Sequence, residues 1–251
     1  TSTIPQTILQ SSGSAGKILW DLKLEPSASN NLKSRLSFRI NTSQNAGTNM
    51  SPSANFISMS SDYHNFKNLN FWNVLLQRTA GPSGSDTYTS HSYKMYIGEN
   101  KLDKLRVLEE VSMSYGGNTY KYAAANWIST GSRNKDDSGN LAIGGTLTGS
   151  IAEIRTWKYP LSASVFKQHI YDKKSTVGNS ILDSQSNIIY RFRLNENWPS
   201  GSSNPVIKDS NPKNVKDYSL MISESALSHR DLYDSNMFDR IQFSTGGGGA
   251  A

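Results

Sequence analysis

"FWNVLLQR", residues 71–78, places a tryptophan near the head of an apolar run and an arginine at its end. The stretch "AGPSGSD" (80–86) follows directly, and its Gly, Pro and Ser residues are typical of a turn. Such a short apolar run bounded by a turn signal indicates a strand. We therefore predict a strand over 71–78 and extend the interpretation outward from it.

Several segments around this run alternate apolar and polar residues, as half-buried strands do. The clearest is "RLSFRI" (35–40), in which Leu36, Phe38 and Ile40 share one face. Residues 102–113 also fit one face of a helix, but the tight turn predicted at Gly98-Glu99-Asn100 favours a returning strand. The other predicted strands cover 17–24, 55–61, 92–98, 141–145, 149–159, 188–194 and 240–245.

One segment, "PLSASVFKQHIYDKK" (160–174), changes to a helical period. Ser162 is the expected N-cap, and His169 falls on the apolar side, so we expect it to be packed rather than a metal ligand. About ten short strands with turns between them, plus one short helix, are typical of all-β folds. The predicted fold is an antiparallel β-sandwich (jelly roll) with one short helix.

The composition excludes several classes of function. The 251 residues include no cysteine, which excludes disulfides, thiolate catalysis and Cys-ligated zinc. The net charge is +6, but the basic residues are scattered, so we expect no nucleic-acid partner. No apolar run approaches the roughly 20 residues that span a bilayer, and we expect no membrane insertion.

Four segments, in order over 71–170, resemble the laminin-G-like, concanavalin A-like lectin jelly roll. The resemblance implies that strand 71–78 runs through the sandwich centre with apolar side chains on both faces. It also implies that Trp72 and Trp157 are core anchors and that Arg78 caps a strand end. The matching positions are Trp72 to Arg78, Tyr96-Ile97-Gly98, Ile143-Gly144-Gly145, and Gly149 through Glu153, Arg155, Trp157, Leu161 and Ser162.

The expected organisation has four parts: a flexible arm or linker over 1–16, the laminin-G-like jelly roll over 17–180, a region over 181–245, and a flexible tail over 246–251. Residues 181–245 resemble the opening segment of another such domain but are too few for a complete one. We expect them to be closing strands or a packed appendage of the same sandwich.

The acidic residues do not follow a hydrolase pattern. Glycosidases of this shape need two carboxylates about 5 to 9 Å apart. Glu109 and Glu110 are adjacent and would point to opposite faces of a strand, while Glu153 stands alone. There is also no Gly-x-Ser-x-Gly motif, and the four histidines lack ligand spacing. We therefore predict that the chain is not an enzyme.

Laminin-G-like modules commonly bind calcium at a rim of the sandwich, and this resemblance makes "NKDDSGN" (134–140) a candidate metal site. Its ligands would be side-chain oxygens of Asp136, Asp137 and Asn140, and oxygen ligands suit Ca²⁺. A plain Asp-Ser-Gly turn explains the same residues. No cofactor is required by any motif.

The segment 114–135 concentrates aromatic and basic residues in a long predicted loop, and such loops often carry binding sites. The alternative is that its aromatics pin the loop onto its own sandwich or onto a neighbouring subunit. The candidate binding residues are Tyr115, Tyr120, Lys121, Tyr122, Trp127 and Arg133.

The sequence therefore predicts a non-enzymatic structural or interaction module, part of a larger assembly on a virion or extracellular surface. Its Asn/Ser/Tyr-rich style resembles that of phage tail, fibre and capsid-decoration proteins. The resemblance implies that its partners are other virion or surface proteins, or a host glycan. The alternatives are a carbohydrate-binding lectin and, less favoured, a glycan-active hydrolase.

Overall fold

A computed structural model shows a mostly β protein with antiparallel sheets and one short helix, as predicted. The chain divides into two compact units, Thr1–Thr148 and Gly149–Ala251. The structure describes residues 3–12, 18–41, 56–80, 91–102, 104–115, 140–180, 187–194, 206–208, 210–211 and 219–221. In this part of the chain, no helix is both long and apolar enough to cross a membrane.

The first unit contains two antiparallel sheets. The five-stranded sheet has the order β4-β3-β2-β1-β8, and the three-stranded sheet has the order β5-β6-β7. The strands are β1 (Gln6–Ser12), β2 (Ile18–Pro26), β3 (Ser34–Asn41), β4 (Phe56–Ser60), β5 (Phe71–Ala80), β6 (His91–Lys101), β7 (Lys104–Tyr115) and β8 (Asn140–Ile143).

Side chains from the two sheets form one hydrophobic core. Phe38 of β3 lies at its centre, with its ring centroid 5.8 Å from that of Tyr93 of β6. Each large apolar side chain buried here stabilises the fold by about 1.5 to 3 kcal/mol. The buried core residues are Trp20, Leu22, Leu36, Phe38, Ile40 and Met59 from the five-stranded sheet, and Tyr93, Met95 and Ile97 from the three-stranded sheet.

The alternation predicted for β3 is confirmed, because Leu36, Phe38 and Ile40 are all buried in the core. On the opposite face, Arg39 pairs with Asp21 of the neighbouring strand β2, through bonds of 2.8 and 2.5 Å. This two-pronged contact neutralises a carboxylate that is fully buried. Both faces of the strand are therefore occupied, one by apolar packing and one by an ion pair.

Strand β5, which contains "FWNVLLQR", does not run through the centre of its described sheet as expected. Trp72 and Leu76 pack against the core, as expected for Trp72. Val74 lies on the same face as these two residues but is 38 % exposed, whereas Gln77, on the other face, is buried. Among the described strands, β5 is an edge of its sheet and β6 is the central strand. Strand β6 is covered by a neighbour on each side and contributes three buried core residues, whereas the core-facing residues of β5 are only partly buried.

Three local predictions need correction. Residues 1–16, expected to be an arm or linker, contain β1, which pairs with both β2 and β8. The segment Gly98-Glu99-Asn100, expected to be a turn, continues β6, and the chain turns at Leu102 instead. The strand interpretation of 102–113 is confirmed by β7, but the strand predicted over 149–159 is limited to Ile154–Trp157.

The second unit contains β9 (Ile154–Trp157), α1 (Ala163–Tyr171), β10 (Ile188–Phe192), β11 (Val206–Lys208) and β12 (Ser219–Met221). Strand β9 pairs with β10, and β11 pairs with β12. Helix α1 begins as predicted, with the Ser162 side chain accepting a hydrogen bond from the Val165 amide. Its buried face includes His169. The predicted strand 240–245 and tail 246–251 lie outside the described residues.

Candidate functional site

Most of the predicted binding residues lie outside the described part of the chain. This holds for Tyr120, Lys121, Tyr122, Trp127 and Arg133. Tyr115 is the last residue of β7, where its backbone pairs with that of His91. Their role as a binding surface therefore stays a prediction.

The predicted calcium ligands are in a similar position. Asp136 and Asp137 lie outside the described residues. Asn140 begins β8, where its backbone pairs with that of Ser12 in the five-stranded sheet. No group of three or more acidic or histidine side chains that would suit a metal occurs among the residues that the structure describes. Calcium binding at 134–140 therefore stays a prediction.

A cluster that sequence reasoning missed lies at one end of the first unit, and we name it the loop-end cluster. It holds the loop 61–70, between β4 and β5, against the three-stranded sheet. It combines aromatic, amide and carboxylate side chains within hydrogen-bond or ring-contact distance of one another. Its members are His64, Phe66, Asn68, Asn70, Trp72, Glu99 and Glu109.

His64 and Glu109 connect the two sheets of the first unit. The backbone of His64 pairs with that of Ser34, at the start of β3. Its side-chain Nε2–H donates to Glu109 Oε2 on β7 over 2.6 Å. The other oxygen of Glu109 accepts the amide N–H of Asp62 at 2.8 Å. Both oxygens of this carboxylate therefore serve to hold the loop.

Three rings pack beside this bond. The Phe66 and Trp72 ring centroids are 4.3 Å apart, and His64 lies 5.6 Å from Trp72. The Trp72 indole N–H donates to Asn68 Oδ1 at 3.2 Å. The aromatic bodies are thus packed while the polar tip of the tryptophan is satisfied, as buried tryptophans require. The loop is consequently fixed by both packing and hydrogen bonds.

Glu99 forms the second acidic anchor of the cluster. It lies on β6 opposite Trp72 and is only 6 % exposed. Its Oε1 accepts hydrogen bonds from the side-chain amides of Asn68 at 2.6 Å and Asn70 at 2.5 Å. A buried carboxylate needs such donors, because an unsatisfied one is costly. The two asparagines therefore fix the loop on either side of Leu69.

The register places the two acids of this cluster on the same face of the sheet. Glu109 of β7 lies opposite Ile97, and Glu99 is two residues further along β6. Such diagonal neighbours lie about 7 to 8 Å apart between Cα atoms. This pair could not be recognised from the spacing of acids along one strand, because it depends on the register between two strands. Glu109 and Glu110 do point to opposite faces, as predicted, since Glu110 pairs with Lys94 on the outer face.

The two carboxylates of this pair share one face of the sheet, but their oxygens already have structural partners. A general acid or nucleophile must reach a substrate atom within hydrogen-bond distance. The described contacts engage both oxygens of Glu109, and Oε1 of the buried Glu99 already accepts two bonds. The arrangement is suited to holding a loop in one conformation.

The second unit has its own charged cluster, around Glu153. Its Oε1 lies 3.3 Å from Arg155 Nε and accepts a 2.8 Å bond from Arg191 Nε. Both arginines also donate to backbone carbonyls in the segment after α1, at Lys173, Lys174 and Ser175. Burial lowers the pKa of Arg155. Glu153 and its two arginine partners therefore connect strands β9 and β10 to the turn after α1.

His169 packs beside this cluster, as the sequence predicted. Its ring stacks on Trp157 at 5.6 Å, and its Nε2–H donates to the Val177 carbonyl at 2.7 Å. Burial, together with the positive charge of Arg155, lowers its pKa to about 4. A histidine with this pKa is neutral at physiological pH, and its bond to a carbonyl fixes the tautomer. It fills the unit's interior.

No protein-family model, no curated protein and no solved structure matched this chain. The assignment of function therefore depends on the residues and their geometry alone.

Proposed function

We propose that this chain is a non-enzymatic structural and interaction module of a virion or extracellular surface protein, built on a jelly-roll β-sandwich. In this role it would mediate assembly with other surface proteins or attachment to a glycan. The shared core of the five-stranded and three-stranded sheets supports a sandwich. The four motif segments that resemble laminin-G-like domains support the jelly-roll form of it.

One observation carries the non-enzymatic part of the proposal. The acidic side chains closest to a catalytic arrangement already have structural partners, which are His64 for Glu109, two asparagines for Glu99 and two arginines for Glu153. Freeing Glu99 or Glu153 would leave a buried charge unpaired, at a cost of several kcal/mol, and freeing Glu109 would release the loop 61–70. Using these acids in catalysis would therefore break contacts that stabilise the fold.

The contact surface is proposed to be the segment 114–135, because three tyrosines, one tryptophan and three cations match the composition of contact hot spots. The strands at its two ends support this. Tyr115 ends β7 in the three-stranded sheet, and Asn140 begins β8 in the five-stranded sheet. A segment attached to both sheets would be positioned by a rigid scaffold, as binding loops usually are.

The test replaces Tyr120, Tyr122 and Trp127 by Ser in the full chain. Binding to a glycan array, or co-assembly with the native particle proteins, should fall by about tenfold or more while the Tm stays nearly unchanged. Unfolding of the variant would instead show that these aromatics belong to the protein's own core.

A glycan-active hydrolase is the second candidate, favoured only by the same-face placement of Glu99 and Glu109. The wild-type chain should release no reducing sugar from a broad polysaccharide panel. Sugar release that disappears in Glu109→Gln or Glu153→Gln would establish the hydrolase and refute the proposal.

A further inference from the structure

Three leucines are exposed on three separate loop segments of the first unit, and we name them the leucine rim. Leu32, between β2 and β3, is 59 % exposed. Leu69, in the loop before β5, is fully exposed, and Leu102, in the turn after β6, is 85 % exposed. Single exposed leucines are common on protein surfaces, so what distinguishes these three is how their segments are placed and held.

Hydrogen bonds and strand pairing place the three segments side by side. The Lys67 ammonium donates to the Asn31 carbonyl at 2.9 Å, which joins the second loop to the first. Asn70 donates to Glu99, and Phe71 pairs with Asn100, which joins the second loop to the turn at Leu102. The leucine rim is therefore one end of the first unit.

The backbone at two of these leucines is in an unfavourable conformation. Leu69 has φ 61° and Leu102 has φ 53°, in the left-handed region that glycine and asparagine adopt most readily. A bulky residue there is an outlier, and such outliers cluster at functional sites. The loop-end cluster holds this conformation in place, because Asn68 Oδ1 accepts the Asn70 amide across Leu69. The fold thus fixes an exposed apolar side chain where a polar residue would be more stable.

Basic side chains surround the leucine rim. Lys33, Lys101 and Lys104 are exposed, and Lys67 lies two residues before Leu69. The nearby acids are mostly engaged: Glu25 pairs with Arg35, and Glu99 is held by two amides. Asp62 is the exposed acid of the loop, and the sequence places Asp103, outside the described residues, beside Leu102. Three of these lysines but only one acid, Asp62, are exposed among the described residues of the rim, so the rim combines isolated apolar tips with an excess of exposed positive charge.

We infer that the leucine rim docks onto an anionic lipid surface. Lysine is depleted in protein interfaces and leucine is under-represented in their hot spots, which disfavours a protein partner. Leucines flanked by lysines are instead typical of elements that lie in the headgroup region of anionic membranes. Separate tips need no preformed pocket there, because lipid adapts to each one. Such docking requires no spanning segment, and it is independent of the partner proposed for 114–135.

The test is co-sedimentation of the full chain with vesicles. The wild type should bind vesicles of equal parts phosphatidylcholine and phosphatidylserine, and bind pure phosphatidylcholine much more weakly. The double variant Leu69→Asn/Leu102→Asn should lose about tenfold or more of its affinity for the mixed vesicles. Its Tm should be unchanged or higher, because asparagine suits a positive φ better than leucine does.

Two matched variants complete the design. Lys33→Glu/Lys101→Glu should weaken binding to the mixed vesicles and reduce its dependence on salt. Leu108→Asn, at a partly exposed leucine on β7 outside the rim, should leave binding unchanged. Absence of wild-type binding to the mixed vesicles, or equal binding by the rim variants, would overturn the inference. So would self-association of the wild type that the double variant abolishes, since the rim would then bind protein.

Discussion

Two histidines of this molecule lie at the same distance from a tryptophan but in opposite surroundings. His64 is 5.6 Å from Trp72 in the first unit, and His169 is 5.6 Å from Trp157 in the second. The polar partner of His64 is a carboxylate on the opposite sheet, whereas that of His169 is a backbone carbonyl, with the positive Arg155 nearby. The two histidines therefore make similar ring contacts, but the charges around them have opposite signs.

This difference shows that the pairing of histidine with tryptophan does not by itself define a role. In the first unit the histidine ties a surface loop to the sheet through charge-assisted bonding, and the loop's tips stay exposed. In the second unit the histidine is 6 % exposed and serves as a neutral interior residue. Three experiments test this contrast.

The largest effect is expected at the interior pair. Replacing Trp157 by Ala removes the ring that stacks on His169 and should lower the free energy of unfolding by about 3 to 5 kcal/mol. Urea denaturation followed by circular dichroism measures it. Trp157→Phe keeps an aromatic ring and should lose much less. An unaltered stability in the alanine variant would mean that the ring is not part of the second unit's packing.

The next effect is a dependence on pH. The pKa of His169 is about 4 in the folded protein and near 6.5 in the unfolded chain. Between pH 6.5 and pH 4 His169 is protonated in the unfolded state but neutral in the folded state. The free energy of unfolding therefore decreases as the pH falls through this range, by roughly 3 kcal/mol at most. Urea denaturation across this range measures the loss.

The control for this prediction is His169→Gln, whose side-chain amide can still donate to the Val177 carbonyl but takes up no proton. The difference in stability between the wild type and this variant should shrink or reverse as the pH falls. Parallel pH profiles for the two proteins would show that His169 is not responsible for the loss.

The smallest effect is expected at the loop tie. Glu109→Gln replaces a charged acceptor of His64 and of the Asp62 amide by a neutral one, and should cost about 1 to 2 kcal/mol. Amide hydrogen exchange at Asp62 should become faster. Glu110→Gln is the matched control, since its exposed pairing with Lys94 adds little stability. If both variants behave alike, Glu109 does not hold the loop.

The parts of the fold that sequence could predict are those determined by local patterns. The alternation in 35–40 and the helix cap at Ser162 both depend on residues close in sequence, and both are confirmed. The strand β1 was missed because "QTILQSS" is rich in polar residues, and its pairing with β2 and β8 is a long-range property. Tertiary pairing overrides such weak local preferences.

The loop-end cluster could not be predicted for a related reason. His64, Glu99 and Glu109 are far apart in sequence, and only the register of β6 with β7 places the two acids on one face. A signal did exist in the sequence: Asn65, Asn68 and Asn70 are concentrated in one short loop, where asparagine side chains commonly cap backbone turns. Asn68 and Asn70 do form part of the cluster.

The pairing of β1 with β8 has a consequence for how the protein is made. Strand β8 pairs with β1, and just after β8 ends the Thr146 hydroxyl accepts a bond from the Thr7 amide, across 139 positions of the chain. During synthesis β1 emerges early, yet this neighbour arrives only after the other strands of the first unit. Pairings of such high contact order fold slowly, and an unpaired strand edge favours aggregation meanwhile. Heterologous expression should therefore benefit from slow translation at low temperature.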